Sequence, residues 1–390
     1  MFNNSNKSIA FVINSLEGGG AERVICNLLR TMQDTFTSQK CKVYLLLLDD
    51  LPEEQQCPDY VEKVTLNAKG KLIPSYRQLS QWVKTTQPDL LVSFLTRSNV
   101  VSTIIGKRQN IPSVISERVN TSSHFATSRT GFISKFMVKA VYPKATCVVP
   151  VSQGVMQDLV DNYAVPAVKC SVMYNAYDQA SLLEKSQITV NDLPQKTYCI
   201  GIGRLVANKN FTLMIKAFAK SDSQRDLVIL GQGPDMPALK ALAKEQGVES
   251  RVHLLGFREN PYPYLVNADY LVSTSNAEGF PNGIAEAMCL GKPVIATNCQ
   301  SGPAEILTGD NNTRTESYLA AEHGVLCKVN DIDAVKSAIN VMEEQGSIEK
   351  YQQKSQQRAL DFSYQHMQAT FSNVMNKALK KTEIKETTND

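Results

Sequence analysis

Short apolar runs recur along this chain, separated by stretches whose apolar residues fall at helical spacing. In the first half the runs fall at residues 9–13, 42–48, 89–95, 113–117, 146–151 and 169–174, with a helical stretch at 21–32 after the first. They are continuous blocks rather than alternating ones, as expected for parallel strands covered on both faces. Strands that alternate with helices predict βαβ units and a doubly wound sheet. Around residues 174–196 the pattern lapses into polar sequence, NAYDQASLLEKSQITVNDLPQK after Tyr174. The strand series then restarts at 199–203, 226–231, 251–255, 270–274, 293–297 and 324–328, with helices expected at 211–220, 234–246 and 283–290.

The predicted fold is therefore α/β, with two Rossmann-like doubly wound domains facing across a cleft. The boundaries read as 1–173 for an N-terminal domain, 174–196 for the connection and 197–363 for a C-terminal domain. Residues 364–390 are expected to form a helix that packs back toward the N-terminal domain, then a frayed polar tail, KKTEIKETTND. Ligands of open α/β sheets bind beyond the carboxyl ends of the strands, and domain interfaces favour pockets.

Composition narrows the function classes. The 390 residues favour about two domains, and 43% hydrophobic content is enough for two cores. A formal net charge of +3 gives no global nucleic-acid footprint. Nine cysteines stand singly, with no CxxC pair, so neither a zinc site nor a disulfide framework is expected, and a reducing compartment fits. No run of 18 apolar residues signals a membrane span, and the N-terminus lacks the pattern of a signal peptide. The chain reads as cytoplasmic. Residues 131–144, GFISKFMVKAVYPK, are amphipathic and basic, which suits either a helix packed on the N-terminal sheet or contact with an anionic membrane from that side.

The most specific chemical signal is Glu278-Gly279-Phe280-Pro281-Asn282-Gly283-Ile284-Ala285-Glu286. Two carboxylates bracket a loop with two glycines and a proline, and the second falls inside a helix. Glycines let backbone amides approach a ligand, a helix N-terminus favours anionic groups, and carboxylates accept hydrogen bonds from sugar hydroxyls. By spacing alone, a pair of helix-end acids remains an equal reading. Arg204 and Lys209 follow a strand end and precede a helix. Gly231-Gln232-Gly233-Pro234 reads as a strand-to-helix turn with Pro at the first helical position. Gly18-Gly19-Gly20 also follows a strand, but Arg23 stands where a G-x-G-x-x-G fingerprint needs its last glycine, which argues against a nicotinamide cofactor. No Asp-x-Asp stands beside a strand end, so no metal and no cofactor are expected.

The segment EGFPNGIAE resembles the E-x7-E signature of retaining glycosyltransferases of family 4, which have the type B fold of two Rossmann domains. GIGRLVANKNFTLMIKAFA, VILGQGPDMPALKALAKEQGVESRVHLLGF, ATNCQSGPAEIL and GVLCKVNDIDAVKSAI are similar to that family's other elements in the same order. In the N-terminal half, SLEGGGAERVICNLL and VVPVSQGVMQDL carry a weaker likeness.

The resemblance implies a nucleoside-diphosphate sugar as co-substrate, with UDP favoured over GDP. Glu286 would bind the donor ribose and Glu278 a hydroxyl of the transferred sugar. Amides between Phe280 and Gly283 would hold sugar hydroxyls and the distal phosphate, with Gly279, Pro281 and Asn282 in the same loop. Arg204 and Lys209 would neutralise the diphosphate, Gly233 and Phe257 would lie beside the nucleotide, and Gly20 would reach the phosphates. Gly18 and Gly19 would face the acceptor. Many members carry an N-domain His where this chain reads Ser116-Glu117-Arg118. Glu117 becomes the catalytic candidate there, with Arg118 and His124 on the acceptor side. The expected acceptor is a saccharide or lipid-linked saccharide of bacterial O-antigen, capsule or lipopolysaccharide. A type-B-fold epimerase, a phosphorylase or a non-catalytic nucleotide-sugar or glycan-binding subunit stay open as alternatives.

Overall fold

A computed structural model describes residues 5–17, 19–126 and 131–387, the side chains of 126 and 381–387 excepted. The chain divides into two compact units, residues 1–176 with 364–390, and residues 177–363. The passage between them falls at 176/177. Most of the polar stretch 174–196 thus belongs to the second unit, where Gln179–Ser186 is helical and capped by the Asp178 side chain on the Ser181 amide.

The first unit is built on six parallel strands: β1 (Ser8–Ile13), β2 (Lys42–Leu47), β3 (Glu62–Thr65), β4 (Leu90–Phe94), β5 (Ser113–Glu117) and β6 (Cys147–Pro150). Their spatial order is β3-β2-β1-β4-β5-β6, the doubly wound arrangement with a switch point between β1 and β4. Period-two alternation sends Ile9, Phe11 and Ile13 to one face and Ala10 and Val12 to the other, and all five are fully buried. The first face packs on helix Gly20–Thr31 and on the C-terminal helix Tyr364–Thr387, whose Phe371 meets Phe11 with ring centroids 6.0 Å apart. The other face packs on helices Leu72–Thr86 and Thr96–Gln109 through Leu79, Val83, Val101 and Ile105. Each such buried side chain contributes about 1.5–3 kcal/mol, so the C-terminal helix supplies a large part of this unit's margin. The last residues of the polar tail, 388–390, lie outside the described residues.

The second unit repeats the plan with β7 (Tyr198–Ile202), β8 (Asp226–Leu230), β9 (Val252–Gly256), β10 (Tyr270–Ser273), β11 (Val294–Thr297), β12 (Tyr318–Ala320) and β13 (Val325–Cys327). The order is β12-β13-β11-β10-β7-β8-β9, all parallel except the antiparallel edge strand β12. Its switch point lies between β7 and β10.

Two expectations change. Residues 169–174 form no strand: Ala167–Lys169 is a 3₁₀ turn, and the following segment joins β6 only by a bridge at Cys170 and by the amides of Ser171 and Met173. The edge strands β3 and β12 were not expected, because their residues are mostly or wholly exposed and carry no apolar run. Among the described residues, no helix is long and apolar enough to cross a membrane.

Candidate functional site

At the switch point of the second sheet, the loops that follow β7 and β10 lie side by side. The Thr274 hydroxyl donates to the carbonyls of Lys209 and Asn210 at 3.1 and 2.9 Å. The Asn276 amide donates to the Asn208 carbonyl at 2.8 Å, and Asn208 Nδ2 returns a bond to the Ala277 carbonyl at 2.9 Å. This stitching brings Lys209 Nζ to 2.5 Å from Glu278 Oε1. The pair is largely enclosed, its side chains 27% and 11% exposed, so cation and anion meet where water screens them less than at an open surface. Arg204, on the same loop as Lys209, is exposed.

Glu278 leads through Gly279 to Phe280 and Pro281, which is the N-cap of helix Asn282–Cys289. Proline has no polar side chain with which to cap that helix, so its first amides are left to other acceptors. Gly283 has ordinary helical geometry, and a Cβ there would meet nothing within 4 Å. The fold therefore does not require glycine at Gly283. Open space beside a helix N-terminus is what an approaching anion needs. Glu286 is half-buried on the next turn of the same helix.

Other glycines are held by the fold itself. A Cβ at Gly231 would run into the Gly203 carbonyl oxygen, and one at Gly233 into the Leu205 carbonyl oxygen. Their loop lies directly against the Arg204 loop, with the Leu205 amide donating to the Gln232 carbonyl at 2.9 Å. Gly233 accordingly serves this close approach whether or not it also borders a nucleotide. Phe257, after Gly256 at φ +78°, is 60% exposed and is no part of the core.

The structure adds a wall that the sequence reading did not single out. Gly302, at φ +94°, abuts the donor-loop candidate so closely that a Cβ would collide with Pro281 Cδ. Cys299 precedes it. Burial, with the nearby Glu278 carboxylate second, pushes its thiol up to about 12, so it is inert packing. The signal for this wall was present in ATNCQSGPAEIL, where Gly-Pro after a strand marks a helix start, but nothing in one sequence showed what it would touch.

In the first unit the candidates fall differently. Gly19 is the N-cap of helix Gly20–Thr31, and the Glu22 carboxylate curls back against it, so a Cβ at Gly19 would strike that side chain. Burial raises the Glu22 carboxyl above its ordinary range. Gly18 lies outside the described residues. Glu117, expected at the reacting centre, is 1% exposed and sits inside a polar network. The Tyr142 hydroxyl donates to its Oε2 at 2.6 Å and the Arg118 amide to its Oε1 at 3.2 Å. Asn99 donates to the Tyr142 hydroxyl at 3.1 Å and to the Ser116 carbonyl at 2.8 Å. Burial pushes the Glu117 carboxyl up to about 7. This geometry makes Glu117 an internal brace of the β5 end rather than a group presented to a ligand. The Arg118 guanidinium is buried and donates to the Met173 carbonyl and to Asn175 Oδ1. His124 is exposed, its ring edge-on to Phe125 at 5.0 Å.

The first switch point also holds a cluster that sequence reading missed. Arg97 donates to both carboxylate oxygens of Asp49 and to Asn14 Oδ1, and Ser98 shares Asn14 at 2.8 Å. Burial works to raise the Asp49 carboxyl, but the Arg97 guanidinium and the Gly70 amide, which donate to it, hold it below its usual range. Among the described residues, no three His, Cys, Asp or Glu side chains are grouped as a metal site.

The chain thus has two Rossmann-like units, each with a switch point, and in the second a cation–carboxylate pair beside a helix N-terminus. The comparisons with known proteins narrow the class. Residues 185–360 match the profile for glycosyl transferases group 1, and residues 18–181 match that for glycosyltransferase family 4. The chain is 30% identical to the N-acetylgalactosamine-N,N'-diacetylbacillosaminyl-diphospho-undecaprenol 4-alpha-N-acetylgalactosaminyltransferase of Campylobacter jejuni, over 91% of this chain and 96% of that one. It is 24% identical to the lipopolysaccharide 1,6-galactosyltransferase of Salmonella typhimurium, over 77% and 82% of the two chains. Its fold is similar to that of the lipopolysaccharide outer core galactosyltransferase WaaB, with a TM-score of 0.73 at 20% identity over 94% of this chain and 99% of that one. Anabaena HepE in complex with UDP gives the same TM-score and identity over 95% and 99%. The chain belongs to the family 4 glycosyltransferases, enzymes of the type B fold.

Proposed function

We propose that this enzyme moves a hexose or N-acetylhexosamine, with retention of configuration, from a UDP-sugar to a saccharide acceptor of a bacterial surface glycan. The observation that carries this reading is the Lys209–Glu278 pair beside the open N-terminus of helix Asn282–Cys289. Cleavage of the bond between the sugar C1 and the phosphate oxygen puts negative charge on the departing diphosphate. Arg204, Lys209 and the amides of Asn282 and Gly283 are the fixed positive ends at hand, and such preorganised groups act most strongly where charge develops. They take the role a divalent ion would otherwise play, so activity is expected to persist in a chelator. When the diphosphate engages Lys209, Glu278 is released to accept from a hydroxyl of the sugar, while Glu286 accepts from the ribose. Retention follows if the acceptor hydroxyl adds from the face the diphosphate leaves, its proton passing to the leaving phosphate oxygen. The bracketing carboxylates then bind and orient; they do not divide acid and base work as in a glycosidase.

The relatives' printed names, one a diphospho-undecaprenol-linked saccharide transferase and one a lipopolysaccharide galactosyltransferase, support a lipid-linked acceptor. A cytoplasmic site at the inner membrane surface goes with it, and nine cysteines with no CxxC pair suit a reducing compartment. Helix Gly131–Val141 supports the membrane contact: Phe132, Ile133 and Phe136 are 83%, 65% and 69% exposed. Between Glu117 and Asp158 the sequence has no acidic residue, while Lys135, Lys139 and Lys144 accompany the apolar side chains. Apolar residues flanked by lysines match an anionic bilayer surface.

The test is a donor screen with the purified protein and lipid-linked saccharides, following nucleoside diphosphate release and the anomeric configuration of the product. Release that depends on acceptor, with an axial donor linkage retained, is expected. Epimerised donor in the absence of acceptor, or an inverted product, contradicts the proposal.

A further inference from the structure

The chain passes between its two units at 176/177 and again at 363/364. At these crossings the two backbones pair: Tyr177 and Ser363 form a parallel bridge, and the Tyr177 amide donates to the Phe362 carbonyl at 2.8 Å. Side chains from both crossings then reach the donor loop. The Tyr177 hydroxyl donates to Asn282 Oδ1 at 2.6 Å, and Gln179 Nε2 donates to the Cys289 carbonyl at 2.9 Å. Asn282 and Cys289 are the first and last residues of the helix that carries Gly283 and Glu286. Two residues of the first crossing therefore hold that helix at both ends. From the second crossing, the buried Phe362 ring meets Phe280 edge-on, with centroids 5.5 Å apart. Arg358 covers the Phe362 ring and donates to the carbonyls of Glu305 and Ile306, on the helix that Gly302 opens.

We propose that Tyr177 is a positioning residue of the donor site, supported by Gln179 and Phe362, which hold the donor helix through the segments that join the two units. This rests on the donor reading given above. The amides of Asn282 and Gly283 can meet a diphosphate in one geometry only if their helix is fixed, and the hydroxyl of Tyr177 fixes its first residue. Because the contacts lie on the crossings, donor occupancy and the conformation of those crossings are thermodynamically linked, each biasing the other.

The test is a double-mutant cycle read by UDP calorimetry and by donor and acceptor KM. Tyr177→Phe removes one hydroxyl and keeps the ring, and Asn282→Ala removes its acceptor. Loss of one hydrogen bond corresponds to about a two- to tenfold change in an equilibrium constant. Tyr177→Phe is expected to weaken UDP and raise donor KM by that factor, leaving acceptor KM unchanged. In the Asn282→Ala background the same substitution has no further effect, because both remove one bond. Gln179→Ala, an exposed change at the far end of the helix, gives a second reading of the same sign that does not depend on folding around Tyr177. Wild-type affinity in Tyr177→Phe and Gln179→Ala, or strict additivity in the cycle, overturns the proposal. A wild-type protein that binds no nucleoside diphosphate overturns the donor reading itself and takes this proposal with it.

Discussion

Gly302 and Gly309 flank one short helix, Pro303–Thr308, and both have positive φ, yet only one of them touches the Phe280–Pro281 loop. At Gly309, φ is +80° and a Cβ would meet nothing within 4 Å, so Gly309→Ala introduces backbone strain alone, about 1–2 kcal/mol. At Gly302, φ is +94°, and the new methyl would collide with Pro281 Cδ while lying 3.3 Å from Pro281 Cγ and 3.5 Å from Phe280 Cα. Strain of about 1–3 kcal/mol is joined there by overpacking of about 1–3 kcal/mol. If neither side yields, Gly302→Ala costs about 2–6 kcal/mol of stability. If the loop yields, Phe280 and Pro281 move, and the cost appears as lost donor affinity instead. Chemical denaturation and UDP calorimetry on both variants separate these outcomes. Gly309→Ala should lose stability modestly and bind UDP as the wild type does; Gly302→Ala should lose clearly more stability, or bind UDP at least tenfold more weakly. Two variants with matched stability and matched affinity would refute the packing argument.

The other expectations are more compact. Gly283→Ala should raise the melting temperature slightly, because alanine in a helix gains up to about 1 kcal/mol over glycine, while weakening UDP-sugar binding; equal donor affinity would mean that the space beside Gly283 is not used. Lys209→Ala should reduce UDP affinity about ten- to a hundredfold, the scale of one charge-assisted hydrogen bond, and an unchanged affinity would remove Lys209 from the site. For Glu117 the folded pKa, about 7, lies above the unfolded value, so the folded state holds the extra proton. Wild type should therefore lose stability relative to Glu117→Gln as pH rises from about 4.5 to 7, by up to about 1.4 kcal/mol per pH unit. A difference that does not vary with pH in denaturant titrations would show that the carboxyl is not titrating in its buried network.

Apolar runs made the two sheets legible because parallel strands buried on both faces leave little choice of residue: the strand at 113–117 falls where the pattern put it, as does the helix at 211–220 read from helical spacing. The edge strands β3 and β12 escaped because exposed edges carry no such run. At the site, the order of the motifs was legible from resemblance, and Lys209 and Glu278 are in contact although 69 positions separate them. What stayed hidden was contact without chemistry. Gly302, Tyr177 and Phe362 are unremarkable letters until the fold sets them against Pro281, Asn282 and Phe280. Glu117 failed in the opposite sense: a carboxylate at a strand's carboxyl end looks available, and only the Tyr142 hydroxyl and complete burial show that it is committed inward.

The central claim is that the helix bearing Glu286 holds the nucleotide. The most direct measurement is UDP titration of the wild type and of Glu286→Ala by calorimetry, with Glu278→Ala alongside. The wild type is expected to bind UDP, Glu286→Ala to bind it at least tenfold more weakly, and Glu278→Ala mainly to impair transfer. Wild-type affinity in Glu286→Ala would contradict the claim.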